Sequence, residues 1–253
     1  MSPRTKKTVL VAIVLSGLPL VGGLWAYRAS QRVPAFYAKA IGAPPDVQHA
    51  RGAALERRAL ELHNQTRRRG RWELDVTADQ LNGWLAADLP RKFPGLPPPD
   101  LLDPRVAIDE DRLLFACRHQ GARFSTVISL TIEVGMAETP NTVFLRLVKA
   151  RAGLLPLPLK RVLDQIKTAA QQTDLALRWA QQDGDPVALL SVAPARDRRP
   201  AKQIVLESLR LAPNRLVLSG RTDNRKPLLS DRNKAHSHLS DSDGIEKNHA
   251  VQR

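Results

Sequence analysis

Cys117 and His119 stand one residue apart, and thiol plus imidazole is the pair used for nucleophilic catalysis. On a strand the two side chains share a face and point outward in parallel, about 7 Å apart, which is poor geometry for proton transfer. Cys117 shares that face with Leu113 and Phe115, so it reads as a core thiol. Asp109, Glu110 and Asp111 are adjacent carboxylates in a predicted turn, where solvation is the simpler reading. His236 and His238 frame a serine in a polar tail. Asp241, Asp243 and Glu246 copy part of a calcium loop without its remaining ligands. None of the G-x-x-x-x-G-K-[ST], G-x-G-x-x-G, H-E-x-x-H or G-x-S-x-G signatures occurs. The sequence therefore predicts no enzyme, no metal site and no cofactor.

The chain has 253 residues and a net charge of +14, which invites a nucleic-acid reading. The distribution argues against it. Residues 1–40 hold Arg4, Lys6, Lys7, Arg28, Arg32 and Lys39 and no acid, while residues 41–220 carry a net charge of only +6. Aromatic residues make up 4% of the chain and do not interleave with cations as a base-stacking platform requires. No nucleic-acid partner is expected. A single cysteine excludes an intramolecular disulfide framework.

The basic residues bracket Thr8–Tyr27, which has no charge. Twenty helical residues span about 30 Å, the thickness of a bilayer core. Trp25 and Tyr27 suit one interface; Arg4, Lys6 and Lys7 suit a cytoplasmic start at the other. Cleavage as a signal peptide would place Leu24 or Tyr27 at the −3 position, which needs a small residue. The organisation expected is a cytoplasmic start at 1–7, an uncleaved anchor at 8–27 and a juxtamembrane linker at 28–45. An extracytoplasmic domain follows at 46–220, then a polar disordered tail at 221–253.

Within the domain, Asp46–Arg69 reads as a helix capped by Asp46, and Arg71–Val76 as a strand. Thr77 caps a helix over Ala78–Leu89. Residues 90–104 hold six of the 19 prolines and read as a loop without regular structure. Strands follow at Arg105–Asp109, Arg112–Arg118, Arg123–Val134 and Thr142–Arg151. The third alternates, with Phe124, Thr126, Ile128, Leu130, Ile132 and Val134 on one face, so one face is covered and one exposed. Leu159–Trp179 reads as the strongest amphipathic helix, and Val187–Val192, Gln203–Leu211 and Arg215–Gly220 as late strands. Helices on either side of a block of hairpin strands predict an α+β fold: an antiparallel sheet packed by amphipathic helices, preceded by a transmembrane helix.

Val76-Thr77-Ala78-Asp79-Gln80-Leu81-Asn82 leading into Trp84-Leu85, the alternating strands, and Gly153-Leu154-Leu155-Pro156-Leu157-Pro158 before a helix together resemble the YpmS-like membrane-anchored proteins. The resemblance implies an extracytoplasmic α+β module, commonly linked to handling lipid or hydrophobic ligands. Thr77 would cap its helix, and a buried Asn82 would pair with the backbone of a neighbouring strand. Gly153 would permit positive φ, Pro156 belongs to the same turn, and Pro158 suits the first turn of the next helix.

The expected function is a single-pass, non-enzymatic protein of the bacterial cytoplasmic membrane that binds a lipid or hydrophobic ligand. Phe124, Ile128, Leu130 and Ile132, under Val162 and Ile166 of the following helix, are its candidate lining. The alternatives are an assembly factor with an envelope protein partner and an enzyme with an unrecognised site.

Overall fold

The computed structural model describes residues 22–96, 98–122, 124–171, 177–182, 185–191 and 203–223. Most of the expected anchor, residues 8–21, and nearly all of the expected tail lie outside them. Residues 22–30 are helical (α1). No helix among the described residues is long and apolar enough to cross a membrane. Five further helices follow: α2 (Ala35–Ile41), α3 (Pro45–Thr66), α4 (Ala78–Ala87), α5 (Leu89–Lys92) and α6 (Leu159–Gln171).

The strands are β1 (Gly70–Thr77), β2 (Leu101–Ile108), β3 (Arg112–Gln120), β4 (Ser125–Met136) and β5 (Thr142–Ala152), then β6 (Leu155–Pro156), β7 (Leu177–Gln182), β8 (Asp185–Ser191), β9 (Gln203–Ala212) and β10 (Arg215–Asp223). They form two antiparallel sheets. The smaller has the order β1-β10-β9; the larger has the order β2-β3-β4-β5-β8-β7, with β6 on β5. The chain is thus an α+β protein built on antiparallel sheets. Trp72 and Leu206 of the small sheet meet Val143 of the large one in a common core, with Val134, Met136 and Leu145 around them. Burial of such side chains contributes roughly 1.5–3 kcal/mol each.

Two asparagines join the sheets. β2 has one strand neighbour, β3, so its other edge has no ladder partner. Asn82 of α4 supplies one: its Nδ2 donates to the Val106 carbonyl at 2.8 Å, and its Oδ1 accepts from the Val106 amide at 2.7 Å. Asn141, in the β4–β5 turn, does the same for the free edge of β9. Its Nδ2 donates to the Ile204 carbonyl at 2.9 Å and its Oδ1 accepts from the Leu206 amide at 2.7 Å. α4 starts directly from β1 of the small sheet, so each sheet sends one amide to the other's exposed edge. Asn82 is held in place by the expected cap. The Thr77 side chain accepts from the Gln80 amide at 3.2 Å, and the Gln80 side chain accepts from the Thr77 amide at 3.0 Å. α3 crosses α4 so closely that a Cβ on Gly83 would press on the Gln48 carbonyl and the Gly52 amide.

Five expectations are corrected. Residues 28–45 are not a plain linker: α2 docks on the large sheet and buries Tyr37 against Ala116 and Val127. A tyrosine between two prolines is weak helix signal alone, and burial against the sheet decides it. The 90–104 segment is not free of regular structure: it holds most of α5 and the start of β2, which runs through Pro104. A proline is tolerated there because β2 is an edge strand and the ladder is irregular at that point.

Asp46 sits in the first turn of α3 without capping it; Pro44 takes the cap position. Of the expected Leu159–Trp179 helix, Leu159–Gln171 is helical, but Leu177–Gln182 pairs with β8 as a strand. Local helical periodicity there loses to a hairpin whose partner already sits on β5. Finally, β4 is not covered on one face alone. Thr126 and Val127 are neighbours, so they face opposite ways, and both are buried. α2, whose Tyr37 packs on Val127, covers part of the face that alternation assigned to solvent.

Asn82→Leu fills the space but leaves the Val106 amide and carbonyl without partners. A loss of about 2–5 kcal/mol is expected for two abandoned buried groups. Asn82→Asp, which keeps the acceptor but sets a buried carboxylate against the Val106 carbonyl, should lose at least as much. Chemical denaturation midpoints of the two variants check the order.

Candidate functional site

Between Leu102 and Arg105 the β2–β3 ladder slips: Leu102 pairs with Arg118 and Arg105 with Ala116. Asp103 and Pro104 therefore stand opposite the single residue Cys117, which is a β-bulge. Asp103 takes φ 51°, a left-handed conformation that costs a non-glycine residue free energy. Its carboxylate turns outward to Arg118 at 2.8 Å. Past the bulge, Arg105 turns inward and is 5% exposed.

Arg105 is a buried cation with few partners. Among the described residues its one side-chain hydrogen bond runs from Nη1 to the Pro104 carbonyl at 2.8 Å. Its Nε is buried without a partner, and no ion pair to a carboxylate forms. Burial pulls its pKa down, with Asp103 and Tyr37 countering part of the effect. An isolated buried charge is costly and is normally paired.

Tyr37 lies within its electrostatic reach, 2% exposed, with a hydroxyl that also has no partner. Burial first, and Asp103 next, push its pKa up to about 12. Two buried, underused polar groups thus flank one bulge.

Arg105 lines a cavity of about 400 Å³ between α4, the proline-rich segment and β2. Leu85 on α4, Leu96, Leu101, Leu102, Pro98 and Pro99 supply its apolar walls; Gln48, Asp103 and Arg105 add polar side chains to the lining. A cleft that combines apolar walls with a few convergent polar groups is the usual form of a small-ligand site. A larger hollow of about 730 Å³ lies between α2, α3 and α4, but there the Arg51 and Asp79 side chains pair at 3.5 Å. A third, of about 270 Å³, lies where α1 meets the large sheet and is lined by Arg32, Val33, Lys149, Arg151 and Leu154 among others.

Nucleophilic chemistry is not favoured at Cys117. Its thiol is buried, and burial first, then Asp100, pushes its pKa up to about 11, the reverse of what a reactive thiol needs. His119 turns to Asp100, with Nε2 at 3.5 Å, and its ring lies 6.4 Å from that of Phe124. No group of three metal-ligating side chains occurs among the described residues. His236, His238, Asp241, Asp243 and Glu246 lie outside those residues.

The side chains expected to line a ligand cavity are not gathered around Arg105. Phe124 is 58% exposed at the β3–β4 turn. Ile128, Leu130 and Ile132 are half-buried along β4, and Val162 and Ile166 half-buried on α6, whose buried residue is Leu163. Only Leu130 lines one of the three cavities, the one beside α1. The motif residues hold structural positions. Thr77 and Asn82 act as above. Gly153 takes φ 59°, Pro156 pairs with Arg151 in β6, and the Pro158 carbonyl accepts from the Val162 amide at the start of α6.

Sequence reasoning passed over Tyr37 and Arg105. The available signal for Arg105 was a proline inside an otherwise strand-like run, Asp103-Pro104-Arg105, which marks a bulge. Comparison with protein-family models, with curated proteins and with solved structures finds no match.

Both raised acids give a signed pH dependence. Below pH 9 the Cys117 thiol and Tyr37 hydroxyl are protonated in folded and unfolded chains alike. As pH rises toward about 12 the unfolded chain releases these protons first, so stability falls. Denaturation midpoints measured from pH 8 upward should decline across that range. Tyr37→Phe should flatten the decline above pH 10, and Cys117→Ala the part between pH 9 and about 11.

Proposed function

We propose that this chain is a non-enzymatic, membrane-tethered module of the bacterial cell envelope that binds an amphiphile carrying one anionic group. Arg105 carries the reading. A buried guanidinium that makes no ion pair lowers the stability of the empty protein, and an anionic ligand head would supply the missing close contact. The walls of leucine and proline suit an acyl or prenyl body.

Tethering is supported by the uncharged run Thr8–Tyr27 with Arg4, Lys6 and Lys7 before it, which points the domain away from the cytoplasm.

Full-length protein purified in mild detergent should retain an anionic amphiphile in native mass spectrometry. Arg105→Met should lose it. The same variant should be more stable than ligand-stripped wild type, on the order of 1–4 kcal/mol, because a buried unpaired charge is replaced by a side chain of similar volume. Wild type that neither retains such a molecule nor gains melting temperature with oleate or phosphatidylglycerol refutes the reading. So does an Arg105→Met variant that binds either equally well.

A further inference from the structure

The last turn of α1 is bolted to the large sheet. The Leu154 amide donates to the Ala29 carbonyl at 2.9 Å, and the Thr126 hydroxyl to the Ser30 carbonyl at 2.6 Å. The Gln31 side chain donates to the Ser125 carbonyl at 3.0 Å. Gly153 permits this approach: any Cβ there would collide with the Ala29 and Ser30 carbonyls. A helix fixed by three hydrogen bonds holds the domain at one angle, unlike a free linker.

The surface at this exit has a distinct composition. Val33, Phe124 and Leu154 are large apolar side chains exposed to solvent, and Leu24, Trp25 and Tyr27 are exposed on α1 itself. Among them lie Arg32, Lys149 and Arg151, which line the 270 Å³ cavity; no acid lines it. None of the three forms an ion pair among the described residues. Exposed apolar tips set among unpaired cations match the boundary between phosphate headgroups and acyl chains. In the sequence the uncharged run that begins at Thr8 extends to Tyr27, within α1.

We infer that the face formed by Val33, Phe124, Leu154, Arg32, Lys149 and Arg151 lies on the anionic bilayer surface from which α1 emerges. This rests on the tether proposed above and adds to it a fixed orientation: the domain is pressed to the membrane at the α1 end of its large sheet. Lys149 and Arg151 contact lipid phosphates while Leu154 and Val33 enter the interface.

Full-length protein in lipid nanodiscs tests this with single spin labels at Leu154→Cys, Val33→Cys and, as an aqueous reference, Leu60→Cys on α3, all in a Cys117→Ala background. In discs containing phosphatidylglycerol the labels at 154 and 33 should collide severalfold less with a water-soluble relaxant than the label at 60. Lys149→Glu with Arg151→Glu, or discs of phosphatidylcholine alone, should return them toward the reference. Labels at 154 and 33 as accessible as the label at 60 overturn the inference; depth unchanged by the double reversal overturns its charge component. Alkaline-carbonate extraction of membranes reads the tether separately. Protein that stays in the pellet with aqueous labels leaves the tether standing and removes only the orientation. Protein that is extracted removes both.

Discussion

Among the described residues the two sheets end in four edge strands, and the way two of them, β2 and β9, are closed ties the sheets together. A sheet edge exposes amides and carbonyls that must find partners or water. In β2 and β9 the partner is a single asparagine amide. Its donor and acceptor lie on one planar group, so it offers the same pair of hydrogen bonds as a neighbouring strand. Asn82 reads Val106, and Asn141 reads Ile204 and Leu206. The two clamps run in opposite directions between the sheets, so neither sheet can shift without breaking both bonds of one amide. The Asn214 amide adds a further tie to the Ile108 carbonyl at 2.8 Å, at the end of the same β2 edge.

The clamp also sets the site. Asn82 holds Val106, one residue beyond Arg105, and the irregularity in β2 falls just before it. The bulge at Asp103 and Pro104 absorbs the mismatch and turns Arg105 inward. Satisfied and underused polar groups stand side by side on the same strand. The asparagine satisfies every polar group it meets, whereas the bulge leaves a guanidinium and a tyrosine hydroxyl underused. Unsatisfied groups persist where something else gains from them.

The N-terminal chain completes the second layer. α2 places Tyr37 over Ala116 and Val127, and the Ser30 carbonyl accepts from the hydroxyl of Thr126, the residue before Val127. A segment with the composition of a linker therefore closes part of the core and couples the direction of α1 to the sheet. Gly153 is the point at which that coupling is possible, since its positive φ and missing side chain admit the incoming backbone.

Much of the local structure was legible from residue order. The capping box at Thr77, the pairing of Asn82 with a neighbouring strand and the left-handed Gly153 follow from side-chain chemistry acting within a few residues or from a single buried amide. Most strand positions, to within a few residues, follow from alternation. Two kinds of feature were not legible. Whether Leu177–Gln182 becomes helix or strand depends on β8 lying beside it, and whether one face of β4 meets solvent depends on where α2 docks. Burial of Arg105 and Tyr37 is of the same kind, because nothing adjacent in sequence distinguishes an inward arginine from the many solvated ones. The sequence by itself determined the α+β class, the capped helix and the charged flanks of an apolar run, all set by short-range periodicity and charge. Only the tertiary structure decided which cation is left without a partner, because isolation is a property of everything packed around it.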